Sequence, residues 1–118
     1  MTTQEIANRL YELCKQHNSE TAHSELYADK VTSTETNMQG ALETITGLDA
    51  IREKEKKFQS MIEEMHGGYT NEPKVFGPYI FMEMGMDATM KGMGRVNMIE
   101  MCQYETKDGK IISERFFY

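Results

Sequence analysis

The stretch Val96-Asn97-Met98-Ile99-Glu100-Met101-Cys102-Gln103-Tyr104-Glu105-Thr106, followed by Lys107-Asp108-Gly109-Lys110 and then Ile111-Ile112-Ser113-Glu114-Arg115-Phe116-Phe117-Tyr118, decides the fold. Along a strand the side chains alternate between two faces. Val96, Met98, Glu100, Cys102 and Tyr104 therefore share one face, and Asn97, Ile99, Met101, Gln103 and Glu105 share the other. The Asp-Gly pair supplies the positive φ angles of a tight hairpin, so an antiparallel strand is expected from Lys110 to Tyr118.

Working back from this hairpin, Lys91-Gly92-Met93-Gly94-Arg95 reads as the preceding turn, with a long strand from Tyr79 to Met90 before it and another from Tyr69 to Phe76. The expected strands are consecutive and antiparallel. Gly67-Gly68 separates them from a front half with a different period. There, residues 3 to 17 carry Ile6, Leu10, Leu13 and Cys14 at i, i+4, i+7 and i+8, one side of an amphipathic helix. Asn18 and Ser19 are good N-cap residues for a short second helix bearing Ala22, Leu26 and Tyr27. Val31-Thr32-Ser33-Thr34-Glu35-Thr36 is β-branched enough to form a strand. After a loop containing Gly40, Thr46 caps a third helix whose apolar seam, Leu48, Ile51, Phe58, Met61, Ile62 and Met65, runs up to the glycine pair. The result is an α+β chain: helices packed on one face of an antiparallel sheet that curves around a hollow. Both sheet faces are partly apolar, so Ile99 and Met101 are expected to meet a second subunit, giving a homodimer through the outer sheet face.

The chain has 118 residues, the length of one ordinary domain, so residues 1–118 are expected to form a single unit. Hydrophobic content of 39% and charged content of 27% describe a globular protein. A net charge of -6, with the densest basic run (Arg52 to Lys57) interrupted by Glu53 and Glu55, argues against nucleic acid as a partner. No apolar run approaches the roughly 20 residues needed to span a bilayer, and the first residues lack a secretory pattern, so no membrane partner and a cytoplasmic location are expected. Cys14 and Cys102 form no C-x-x-C and read as free thiols.

The order of elements, with Leu26-Tyr27-Ala28-Asp29 entering the first strand, Thr46-Gly47-Leu48-Asp49-Ala50-Ile51 opening the third helix, Glu100 in the penultimate strand and Asp-Gly-Lys-Ile before Phe-Phe-Tyr, resembles the NTF2-like superfamily, in particular its SnoaL-like and ketosteroid isomerase-like branch. The resemblance covers the whole chain. It implies a cone in which three N-terminal helices pack on a curved antiparallel sheet, an open end that receives a small apolar molecule, and frequent homodimers. The superfamily includes isomerases, cyclases, dehydratases, hydrolases and binding modules, so the chemistry must be argued from side chains.

By position, Glu35 matches the carboxylate with which ketosteroid isomerases shuttle a proton, and Tyr11 and Glu100 match their two oxyanion donors. Such a set takes a proton from the carbon beside a carbonyl while two donors steady the enolate oxygen. For Glu100 to donate, burial among Met98, Cys102 and Phe116 must keep it protonated. Both acids are Glu where those isomerases carry Asp, so each carboxyl reaches one methylene further. The plain alternatives are Tyr11 as a helix residue with its hydroxyl in water and Glu35 as a solvated strand-end carboxylate. His66 and Asp87 are further acid or base candidates, His66 alternatively being a helix C-terminal residue and Asp87 serving a cyclase variant if it lies beside Glu100. Phe58, Met98, Cys102, Tyr104 and Phe116 are the expected pocket wall.

His17 and His23 have no second ligand at metal spacing, so no metal is expected, and proton transfer by side chains needs no cofactor. Met82, Met84, Met86, Met90, Met93, Met98 and Met101 fall close together; thioethers suit Cu(I), but adaptable packing on a pocket wall or dimer face accounts for them more simply. The reading is a small-molecule-binding protein, either a proton-transfer isomerase or cyclase acting on an apolar carbonyl compound or a non-catalytic binding or dimerisation module of the same fold.

Overall fold

In the computed structural model, which describes residues 1–118, Thr2 opens the first helix, α1 (Thr3–Lys15). Its hydroxyl accepts from the Glu5 amide while the Glu5 carboxylate accepts from the Thr2 amide, a reciprocal capping box. Asn18 caps α2 (Ser19–Leu26) by accepting from the Thr21 amide. Strand β1 (Tyr27–Thr36) follows without a loop and turns back at Asn37 into β2 (Leu42–Thr46). Then come α3 (Leu48–Met61), β3 (Ile62–Thr70), the short β4 (Lys74–Phe76), β5 (Tyr79–Met90), β6 (Gly94–Lys107) and β7 (Lys110–Phe117).

The sheet is open, in the order β2-β1-β7-β6-β5-β3, with β4 also pairing with β5. All neighbours are antiparallel except β1 and β7, which run parallel with Ser33 opposite Glu114. Bulges interrupt β3 against β5 and β6 against β7. A bulge bends its strand and adds twist, which is how a sheet acquires a concave side. Asp108 and Gly109, with φ of 52° and 78°, make the expected tight turn between β6 and β7. The core joins Ile6, Leu10 and Leu13 of α1 to Leu26, Val31, Ile80, Met82, Cys102 and Ile111, all at most 1% exposed.

The α+β class and three helices on a curved open sheet agree with the sequence reading, while several local expectations do not. The third helix does not reach the glycine pair. It ends at Met61, and Ile62 to Thr70 pair with β5, Met65 lying opposite Ala88. Glu63-Glu64-Met65 is a good helical sequence, but the pairing offered by twelve-residue β5 overrides a propensity worth only tenths of a kcal/mol per residue. Gly68 serves close approach rather than helix termination, since a Cβ there would lie 2.6 Å from the Gly85 carbonyl oxygen. Thr46 is not a cap: it ends β2, a strand where the sequence suggests only a loop, and pairs with Thr32 of β1, while Gly47, at φ 101°, is the N-cap. The helices are also not all N-terminal to the sheet, because β1 and β2 precede α3. No helix is long and apolar enough to cross a membrane.

Candidate functional site

Between the inner face of the sheet and the helices lies a hollow of about 1360 Å³, open to solvent. On α3, Ile51, Lys54, Glu55 and Phe58 recur at three- and four-residue steps, so one helix face turns all four toward it. Strand β1 contributes Tyr27 and Glu35, β6 contributes Met98, Glu100 and Tyr104, and β7 contributes Glu114 and Phe116, with Tyr118 just beyond it. Met84 and Met86 of β5 complete the sheet side, and Leu10, Cys14 and His23 line the helix side.

The polar groups fall into two sets. In the first, Glu35 accepts from the Tyr118 hydroxyl and forms an ion pair with the Lys54 ammonium. Burial holds the Lys54 ammonium below its usual pKa, an effect opposed by Glu114, Glu100 and Glu55. In the second, the Tyr27 hydroxyl donates to Glu114, which is 5% exposed. Burial raises the Glu114 pKa, with the Tyr27 hydrogen bond acting in the opposite sense. The buried Ser33 hydroxyl has no partner at full hydrogen-bond geometry; the Glu114 carboxyl, its neighbour across the parallel pair, is the group it faces. Glu100 lines the same hollow and belongs to neither set. Burial again raises its pKa, reinforced by Glu114 and Glu55, and its one near contact is the weak Cys102 thiol at 3.8 Å. Two carboxyls inclined to keep their protons thus share a chamber with one that is ion-paired, the kind of separation that divides acid from base roles.

Several residues that the sequence nominates fall elsewhere, for physical reasons. Of the expected catalytic set, Glu35 and Glu100 line the hollow and Tyr11 does not. Tyr11 lies one residue, or about 100° of helix, from buried Leu10, and its ring packs beneath the Lys15 ammonium at 4.2 Å. His66 is on exposed β3, not at a helix end, and hydrogen-bonds Thr89 at 2.7 Å. Asp87 is not beside Glu100: Met84 faces Glu100 across β5 and β6, so odd-numbered Asp87 points to the opposite side. There it is held by both arms of Arg95, at 3.0 and 2.8 Å, which lowers its pKa. Of the expected wall, Phe58, Met98, Tyr104 and Phe116 line the hollow, whereas Cys102 is fully buried behind it with its sulfur 3.6 Å from that of Met84. Burial pushes the Cys14 thiol up to about 12, so this lining thiol is not a ready nucleophile.

The methionines divide. Met84, Met86 and Met98 line the hollow, Met82 and Met90 are buried, Met93 sits in a turn and Met101 is on the outer face. No group of three or more His, Cys, Asp or Glu side chains is placed to hold a metal ion.

Sequence reasoning missed Tyr27, Lys54, Glu114 and Tyr118. For Lys54 a signal existed, since it lies three residues after Ile51 and four before Phe58 on the apolar seam. For Glu114 there was none, because a bulge sets its side. Ile111 and Ile112 together oppose Thr106, shifting the register so that Glu114, rather than Ser113, faces Tyr104.

No curated protein matches the chain by sequence. Among solved structures, a Mesorhizobium loti protein given the provisional name SnoaL-like polyketide cyclase, with carbohydrate phosphatase in brackets, is 38% identical over 100% of both chains with a TM-score of 0.91. Two more distant structures share the fold. One is a Catenulispora acidiphila protein of ketosteroid isomerase-like fold in complex with trimethylamine, at 22% identity over 99% of this chain and 87% of that one, with a TM-score of 0.73. The other is a Jannaschia protein, also provisionally a SnoaL-like polyketide cyclase, at 12% identity over 98% and 83%, with a TM-score of 0.75. The model of the SnoaL-like domain matches residues 1–118, and the chain belongs to that family.

Proposed function

We propose that the protein binds a small, largely apolar carbonyl compound in its hollow and moves a proton on the carbon beside the carbonyl, as an isomerase or cyclase does. Glu35 is the base, oriented by Lys54 and Tyr118. Glu100, whose pKa burial raises, donates in its protonated form to the oxygen that becomes an enolate. The observation that carries this reading is the presence, in one hollow with an apolar wall, of an ion-paired carboxylate and a second carboxyl whose pKa is raised. The provisional name polyketide cyclase of the Mesorhizobium loti protein supports it, because cyclisation of a polyketide passes through an enolate.

The test uses 4-phenyl-2-butanone in heavy water, following deuterium entry beside the carbonyl by NMR, together with isomerisation of a β,γ-unsaturated ketone. Glu35→Gln is expected to lower the exchange rate by about 10²- to 10⁴-fold. Unchanged exchange removes Glu35 from the base role. A second reading, a binding module without turnover, is favoured by the placement of Tyr11 outside the hollow, which takes away one expected donor. Saturable binding of the ketone with no exchange by the wild type selects it. The homodimer belongs to the same proposal: Met101 and Phe117 are 40% and 43% exposed on the outer face, and a second copy would cover them.

A further inference from the structure

Two lysines line the hollow, and they differ in kind. Lys15 is at the end of α1, engaged by Glu12 at 3.0 Å and stacked over Tyr11, which lies outside. Lys54 is in the middle of α3, held by helix on both sides, with Ile51 and Phe58 on its own face. Its ammonium contacts the Glu35 carboxylate and lies 5.9 Å from the centre of the Phe116 ring. A rigidly mounted, half-buried amine therefore sits against a carboxylate that can accept its proton, beside an aromatic wall that can hold an apolar ligand.

We infer that Lys54 is an imine-forming amine, which condenses with the carbonyl carbon of a ketone seated against Phe116. The inference rests on the carbonyl-ligand reading above and adds a covalent step to it. The step balances with the residues present. The Lys54 ammonium passes one proton to Glu35 across their contact, freeing the Nζ lone pair. Nζ adds to the carbonyl carbon, the C=O π pair moves to oxygen, and a proton shifts from nitrogen to that oxygen to give a carbinolamine. Glu35 returns its proton to the departing hydroxyl, so that water leaves and the nitrogen lone pair forms the C=N bond. In sum, ketone and ammonium become iminium and water, and Glu35 is again a carboxylate. The iminium is a stronger electron sink than the ketone, so the adjacent carbon gives up its proton to Glu35 more readily, forming an enamine. Glu100, inclined by burial to stay protonated, is positioned in the same hollow to hydrogen-bond the carbonyl oxygen during addition. Burial works in the same direction for the amine, since a desolvated lysine spends more time neutral.

The experiment incubates the full chain with 4-phenyl-2-butanone and sodium borohydride, which reduces an imine to a stable secondary amine, and reads the intact mass and the peptide map. The expected result is one adduct per chain, on Lys54, forming at least about tenfold faster than on any other lysine. Lys54→Arg is expected to abolish it. Lys110→Arg, at a lysine whose ammonium is tied to the Glu25 carbonyl oxygen at 2.7 Å, should leave it intact. The map is made on the wild-type protein, so misfolding of a variant cannot conceal the answer. No adduct, or adducts spread over surface lysines or on Lys15, overturns the inference. Deuterium exchange without an adduct removes the imine and leaves the proton-transfer reading standing. An adduct on Lys54 without exchange does the reverse.

Discussion

Tyr27→Phe isolates one hydroxyl at a buried carboxyl. The phenyl ring keeps its burial and its edge-on packing against His23, with ring centroids 4.8 Å apart, so the change in volume is small. What is lost is the donor to Glu114, a group 5% exposed. A hydrogen bond to a charged group contributes about 1.5–3 kcal/mol, and leaving a buried acceptor unpaired costs about 1–3 kcal/mol. We therefore expect a loss of about 2 kcal/mol at pH 8, equivalent to a fall in Tm of about 8 °C for a chain of this size.

The pH dependence follows from the direction of the Glu114 shift. Its folded pKa is raised by burial, so the folded state binds more protons than the unfolded one. The contribution of Glu114 to stability is accordingly complete below the ordinary carboxylate pKa near 4.5 and declines as pH rises through the folded value. Removing Tyr27 takes away a bond that lowers this pKa and therefore favours the ionised form. The variant should lose more at pH 8 than at pH 4.5, where Glu114 is protonated. In a Glu114→Gln background, the cost of Tyr27→Phe should shrink to the about 0.5–1.5 kcal/mol of a neutral bond. Urea denaturation followed by circular dichroism at the two pH values measures all four corners of the cycle. Ordinary surface substitutions change stability by about 0.5 kcal/mol or less. A single variant within that margin of wild type at both pH values would refute the assignment of this pair as a buried, interdependent unit.

Four further outcomes are expected. Exchange activity should fall as pH rises through the elevated Glu100 pKa, and Glu100→Gln, which keeps a donor but cannot ionise, should lose that alkaline decline while Glu100→Ala loses activity throughout; a pH–rate profile of the three proteins decides it. Asp87→Asn breaks an exposed pair on the outer side and should change exchange activity less than twofold and stability by about 0.5 kcal/mol or less, as activity and melting measurements would show. Gly85→Ala should cost about 1–3 kcal/mol, because its Cβ would fall 2.2 Å from the Tyr69 ring; adding Tyr69→Ala should recover most of that in denaturation experiments if the ring is the obstacle. Met101→Asp should shift the mass in light scattering from dimer to monomer while the circular dichroism spectrum is kept, and an unchanged dimer would place the interface elsewhere.

Much of the architecture was legible because it is written in short-range chemistry. The capped helices α1 and α2, the hairpin at Asp108-Gly109 and the alternation of β6 each depend on residues a few positions apart. That alternation sufficed to put Met98, Glu100 and Tyr104 on one wall, and Met101 on the other side. It could not carry the same certainty to α3, where helix-favouring residues after Met61 were recruited by the sheet.

The sequence by itself thus determined the α+β class, the three-stranded meander from β5 to β7 and the presence of an acid among apolar residues at position 100. Tertiary structure alone decided that β1 lies parallel to β7, that a bulge turns Glu114 inward to meet Tyr27, that Lys54 reaches Glu35, and that Tyr11 stays outside. The physical reason is the range of the forces involved. Helix caps, turns and strand alternation are settled between neighbours, whereas a contact such as that between residues 27 and 114 is chosen only when the whole core closes and every competing register has been compared.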